Sequence, residues 1–188
     1  DRIHNDLHSI GIGPEDAVSV DQLCQFDQLH YFGTEAVDEA ISALNAGPSD
    51  RILDIGAGYG GPARYFADRA GAEVTAVELQ DDLSAVAADL TRRTGLEQGG
   101  THLAADIHKA ALEPKGHTGA ISYLALYHIP DRPGLYRRLG EALAPRSPVY
   151  FEDLYQRRPM GAEETATMRD ALFANSLDSR ESYIGALE

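Results

Sequence analysis

The residues with the most chemical content stand in one run, Leu53-Asp54-Ile55-Gly56-Ala57-Gly58-Tyr59-Gly60-Gly61. Gly56, Gly58 and Gly61 satisfy the spacing G-x-G-x-x-G, in which glycines permit a tight turn and let backbone approach a ligand closely. Three acids, Asp54, Glu78 and Asp106, each close a short run of strand character. A carboxylate two residues before Gly56 would repel a pyrophosphate, whereas it could hold an ammonium directly or through water. Glu78, 22 residues beyond Gly56, has the spacing that accepts from the two hydroxyls of a ribose. Asp106 could accept from an adenine amino group, with Leu79 and Ile107 against the ring faces. Ala57 lies between the two loop glycines and offers its backbone to the same ligand. The plain alternative is a simple turn flanked by solvated strand ends.

A second group could act on whatever binds beside that loop. His128 follows the fourth strand on the crevice side, and histidine is the side-chain type whose unperturbed pKa, near 6.5, suits proton transfer. Tyr31 could orient an amine or pack as an amphipathic rim residue, and His30 is a weaker candidate. Glu152 and Asp153 are followed by Tyr155, with Tyr127 across the same crevice. Carboxylates with aromatic faces suit a cationic amine. Strand side chains alternate, so only one of the two acids need face inward. Other residues read as structural. His4 and His8 have i, i+4 spacing but no Glu completes a metal-hydrolase motif. Cys24, the single cysteine, reads as packing. Arg157-Arg158 reads as a solvated pair, and Met168, Leu172 and Phe173 as the core face of a helix.

These residues must be carried by alternating strands and helices. Strands are expected at 51–55, 73–78, 101–106, 119–124 and 148–152. Ser19-Val20-Asp21-Gln22 has capping-box spacing, and Thr34 is expected to cap a second helix. Pro62 suits a helix's first turn, Leu83, Val86, Ala87 and Leu90 make one stripe, and Asp131 caps the helix bearing Leu135 and Leu139. Strand–helix alternation implies a doubly wound, mostly parallel α/β sheet, with ligands at the carboxyl ends of its strands. The domain reading is one unit over 1–188: a helical lid over 1–48, a cofactor-binding core over 49–155 and a helical cap over 156–188.

Composition bounds the function. With 188 residues the chain holds one domain-sized core. Sixteen basic against 30 acidic residues leave a formal charge of −14, which disfavours nucleic acid as a partner. No apolar run is long enough to span a membrane. The opening Asp1-Arg2-Ile3-His4 has no signal-peptide pattern and lacks an initiator Met, as in a fragment or a processed form. The default compartment is the cytoplasm.

Residues 51–155 resemble the Rossmann-like S-adenosylmethionine-dependent methyltransferases. The resemblance is carried by the acidic glycine loop, the acid after the second strand, Ala105-Asp106-Ile107, and Leu126-Tyr127-His128-Ile129 after the fourth strand. Cys24 to Ala36 resembles the lid-forming entry of small-molecule N-methyltransferases of the phosphoethanolamine and glycine/sarcosine/dimethylglycine groups. The resemblance implies S-adenosylmethionine as cofactor, a small-molecule acceptor with an amine nitrogen, a catalytic role for His128 and no metal. It also implies that the segment after the fifth strand covers the site. Two departures stand out. Only five strands are legible before Glu188, where such sheets usually have seven. Leu124 occupies a position where relatives often carry a polar residue. The competing readings are a nicotinamide-dependent oxidoreductase, which lacks a Tyr-x-x-x-Lys pair here, and a non-catalytic cofactor-binding subunit.

Overall fold

Arg51–Ile55 forms the central strand, β1, because its apolar residues are wanted on both faces: Ile52, Leu53 and Ile55 are all buried. Gly119–Tyr123 (β4) beside it is buried throughout, as expected of inner parallel strands covered on two sides. Glu73–Glu78 (β2), Gly100–Ala104 (β3) and Val149–Glu152 (β5) complete a five-stranded sheet of order β3-β2-β1-β4-β5, with every pairing parallel. This computed structural model describes residues 2–187; Asp1 and Glu188 lie outside the described residues.

The helices are Arg2–Ser9 (α1), Val20–Leu23 (α2), Gly33–Leu44 (α3), Gly61–Ala70 (α4), Asp81–Arg93 (α5), Arg132–Ala142 (α6), Ala162–Leu172 (α7) and Arg180–Leu187 (α8). Val37 and Ala40 of α3 and Phe66 of α4 pack on one sheet face with Val74 and Ile121. Leu135 and Leu139 of α6 pack on the other with Leu53, Ile55 and Val77. The fold is therefore the doubly wound Rossmann-like class. The chain runs outward from β1 through β2 to β3, then returns to β4 on the other side of β1. That reversal opens a crevice beyond the carboxyl ends of β1 and β4.

Local expectations differ from the structure at four places. β3 stops at Ala104, because the Asp106 carboxylate accepts from the His108 backbone N–H at 3.0 Å and turns the chain. The α3 cap is Phe32, with no side-chain hydrogen bond, and Thr34 lies inside the helix. α7 buries no residue; Leu172 and Phe173 are exposed, so they are not a core face. The proposed entry lid is anchored over most of its length. The Ser19 capping box forms, Val20 and Leu23 are buried, and Asp27 is buried against Arg64. Between Ser19 and Ala36 the exposed large apolar side chains are Leu29, Tyr31 and Phe32.

Arg64 ties this arrangement together. Its guanidinium donates to Asp27 Oδ2 at 2.9 Å, to the Tyr59 carbonyl at 2.5 Å and to the Ala87 carbonyl at 3.0 Å. Both side chains of the Arg64–Asp27 pair are 1% exposed. Removing one partner of such a pair strands the other charge. Arg64→Met is expected to lower unfolding free energy by about 3–5 kcal/mol, read as a fall in the urea midpoint. The double variant Arg64→Met/Asp27→Asn should recover part of that loss.

Candidate active site

The glycine loop follows β1 and opens α4, the context that separates a cofactor loop from a chance match. Gly56 has φ of 72°, and a Cβ there would lie 2.2 Å from the Ala125 Cβ. No side chain fits, because the loop after β4 closes directly over it. A Cβ at Gly61 would meet the Asp27 carbonyl oxygen at 2.3 Å. The third glycine of the motif thus admits the N-terminal segment onto the start of α4. Leu124, in the crossing loop, takes φ of 51°, an uncommon conformation for a branched side chain and one that clusters at functional sites.

Beyond these strand ends lies a cavity of about 820 Å³. Among the residues named from sequence, Asp54, Gly56, Ala57, Gly58, Glu78, Leu79, Asp106, Ile107, Tyr127 and His128 line it. Glu78 accepts from the Gly58 N–H through Oε2 and from the Gln80 N–H through Oε1, both at 2.9 Å. One carboxylate thereby holds the loop in shape and keeps further lone pairs for a ligand. Asp54 is 1% exposed, and its Oδ2 has no hydrogen-bond partner. Burial, reinforced by the nearby Glu78 charge, pushes the Asp54 carboxyl up to about 7. Leu79 is exposed and Ile107 buried on the cavity wall.

His128 Nδ1 lies 3.0 Å from the Phe173 carbonyl. A carbonyl only accepts, so Nδ1 carries a hydrogen and donates it. The His128 ring lies 4.0 Å from that of Tyr127, tilted by 41°. The remaining sequence candidates are not brought to the cavity wall. Tyr31 is 72% exposed, and its backbone N–H donates to Glu152 Oε1 at 3.3 Å. Glu152 stands behind His30, with Oε2 3.7 Å from Nδ1. Asp153 is held by Arg132 and accepts from the Tyr127 N–H at 3.2 Å, so it is spent on anchoring the 126–128 turn. Tyr155 points away and is half exposed.

His30, the weaker candidate from sequence, lines the cavity with Tyr123 beside it, and His108 and Phe173 line it without any motif to mark them. His30 and Tyr123 stack with centroids 4.6 Å apart. His108 follows the Asp106 turn and has a buried Nε2 without a partner; its only signal was adjacency to Asp106. Phe173 reaches the mouth because the tail docks on the 126–128 turn, where the Asn175 and Ser176 N–H groups both donate to the Tyr127 carbonyl at 2.9 Å. A second cavity, of about 530 Å³, lies between α6 and the tail helices. Its Arg132 is already paired with Asp153, and it contains no glycine-loop residue.

The pattern of the methyltransferase domain family matches residues 52–146, just over half of the chain. The chain belongs to the methyltransferase domain family. It is 28% identical over 147 residues to the glycine/sarcosine/dimethylglycine N-methyltransferase of Actinopolyspora halophila, covering 78% of this chain and 26% of that protein. It is 32% identical over 133 residues to the sarcosine/dimethylglycine N-methyltransferase of Halorhodospira halochloris, covering 67% of this chain and 44% of that protein. The chain thus spans less than half the length of these two relatives. The solved phosphoethanolamine N-methyltransferase 2 of Haemonchus contortus, in complex with S-adenosyl-L-methionine, shares the fold with a TM-score of 0.78, 20% identity, 98% coverage of this chain and 43% of its own.

The cofactor of this methyltransferase domain is S-adenosylmethionine, and the residues present fit it. The unpartnered Asp54 oxygen suits an ammonium, the Gly56 cradle admits no side chain, and Glu78 and Asp106 suit ribose and adenine. An ammonium is held best by an ionised carboxylate. Below pH about 7 the free protein carries Asp54 protonated, so cofactor affinity should rise as pH increases toward 7 and then level off. Calorimetry with S-adenosylhomocysteine between pH 5.5 and 8.5 checks this, and Asp54→Asn should flatten the profile. Glu78→Ala should cost at least tenfold in the same affinity, since one charged hydrogen bond contributes about 1.5–3 kcal/mol.

Proposed function

We propose that this chain transfers a methyl group from S-adenosylmethionine to the nitrogen of a small cationic amine. The observation that carries the reading is the charge of the cavity wall. Asp54, Glu78, Asp106 and Asp131 line it and no Lys or Arg does, while the charge of a fifth acid on the wall, Asp27, is taken by Arg64 behind it. The net charge of −14 adds a field of the same sign. The relatives' names specify amine acceptors that also bear a carboxylate or a phosphate. A wall without a cation gives such an anionic group no partner, which favours an amine lacking one.

S-adenosylmethionine supplies a methyl group already activated by the positive charge on sulfur, open to in-line displacement. The task left to the chain is proximity, alignment and exclusion of water. Asp54, the Gly56–Gly58 backbone, Glu78 and Asp106 would hold the donor, with Leu79 and Ile107 against its ring. Tyr127 and His128 flank the mouth and orient the incoming amine through an aromatic face and a fixed ring nitrogen. Within residues 1–48 the closing element is reduced to 28–32, where Leu29, Tyr31 and Phe32 project from an anchored base. Tyr31 serves as a rim group in this arrangement, and Glu152 contacts the site through His30. Phe173 closes the opposite rim.

The test is a screen for S-adenosylhomocysteine release in low salt. Dimethylethanolamine and related cationic amines are expected to show kcat/KM at least tenfold above their phosphorylated or carboxylated counterparts. The margin should narrow as salt screens the wall. A preference for the anionic counterparts overturns the amine class proposed here, and cofactor binding without turnover of any amine overturns the amine reading in favour of another nucleophile or a binding subunit.

A further inference from the structure

Behind the mouth, the structure gathers polar atoms that nothing in the chain satisfies. Gln28 spends its amide N–H on Asp27 Oδ1 at 3.0 Å, which leaves its carbonyl 2.9 Å from His30 Nε2. Nε2 therefore carries the hydrogen, a tautomer assigned from the network. Neutral His30 then turns the lone pair of Nδ1 toward Glu152 Oε2, 3.7 Å away. These are two acceptors facing each other with no donor between them, and both are buried without a partner. The His30 side chain is 1% exposed. The buried Tyr123 hydroxyl also has no partner, and neither does Asp54 Oδ2. Buried polar groups are nearly always paired, so each exception calls for an explanation, and a catalytic role is one. His30, Tyr123 and Asp54 all line the cavity.

We propose that His30 is the base that takes the acceptor's proton and that Glu152 is its positioning partner. This rests on the reading of the acceptor as an amine. His30 itself lines the cavity, and a turn of its ring carries the Nδ1 lone pair from Glu152 to a protonated amine bound there. In the step, the N–H bond of the ammonium breaks and its electron pair stays on nitrogen as the lone pair that bonds to the methyl carbon, while the methyl–sulfur bond breaks and its electron pair goes to sulfur, leaving S-adenosylhomocysteine. The proton bonds to Nδ1, and the imidazolium that forms faces the Glu152 carboxylate. After product leaves, the proton returns to solvent through the open mouth. The groups facing His30 are Glu152 from β5, Tyr123 from β4, and Asp27 and Gln28 from its own segment. Burial outweighs the two carboxylates and holds the ring below its ordinary value, so His30 is free to accept a proton at neutral pH. Among the described residues no ion pair joins His128 to a carboxylate, and it lies on the exposed rim.

The full chain with dimethylethanolamine as probe tests this. His30→Gln should lower kcat/KM at pH 7 by at least about 100-fold, the low end for general base catalysis. The deficit should shrink as pH rises and the free amine becomes abundant, with S-adenosylhomocysteine affinity unchanged as the folding control. His128→Gln should lower the rate by the same factor at every pH. Independently of turnover, the ¹⁵N ring resonances of His30, read with S-adenosylhomocysteine bound, should move toward the protonated position when dimethylethanolamine is added, and Glu152→Gln should weaken that response. Binding of the probe with an unmoved His30 ring, or a pH-independent loss in His30→Gln, overturns the assignment of the base alone. Failure of the wild-type chain to bind the probe at all overturns the amine reading and the base together.

Discussion

A single buried cation holds the working end of this protein in register. The Arg64 guanidinium, on the first turn of α4, reaches the glycine loop at Tyr59, α5 at Ala87 and Thr91, and the N-terminal segment at Asp27. A guanidinium is suited to this, since its five donors lie in a rigid plane and its charge does not titrate away. Desolvation is the cost, and Asp27 together with the backbone carbonyls offsets it. Three stretches far apart in sequence meet at one charge. The glycine loop sits on one side of it and the His30 segment on the other, so the two halves of the cavity share one support.

The site is built at the expense of local stability. Asp54 is buried with an unpartnered oxygen, and its carboxyl is pushed up to about 7. Its folded-state value lies above the ordinary 3.8, so this group's contribution to stability is lost as pH rises from about 4 through 7. A hydrophobic residue there would relieve the strain and remove the ammonium partner. The same trade governs Gly56, whose left-handed backbone sits against Ala125, and Leu124, held at a positive φ beside it. Such violations of local preference are expected where a site must stay ready for a ligand.

The two rims of the cavity come from opposite ends of the chain and are fastened differently. On the N-terminal side, Leu29 to Phe32 hang from the Asp27 anchor. On the other, Phe173 is held by backbone hydrogen bonds to the 126–128 turn and by His128. Neither rim buries much apolar surface, the property that lets a segment open and close while the sheet stays fixed. No helix among the described residues is long and apolar enough to cross a membrane, and the acidic cavity faces solvent through these rims.

The sheet, its five strands and the glycine-loop wall of the cavity were legible from sequence because each depends on short-range pattern. Apolar runs alternate with helical stripes, and the acids that matter close those runs, so Asp54, Glu78 and Asp106 could be placed by spacing alone. Strand ends converge in any doubly wound sheet, and topology then brings such residues together without further information. The acceptor half was not legible in that way. Whether Glu152 or Asp153 faces the site depends on which is claimed by Arg132, a residue 21 positions away. His30 gains its meaning only when β4 brings Tyr123 and β5 brings Glu152 against it. Tyr31, one residue on, is turned out to solvent. Phe173, read as helix core, becomes a rim because the tail spends its backbone hydrogen bonds on Tyr127. Local sequence determined the strands and the acids that end beside the glycine loop, since backbone geometry and side-chain periodicity act over a few residues. Tertiary packing decided which polar side chains are satisfied and which are left waiting, since a hydrogen-bond partner or a desolvating neighbour can come from anywhere in the chain.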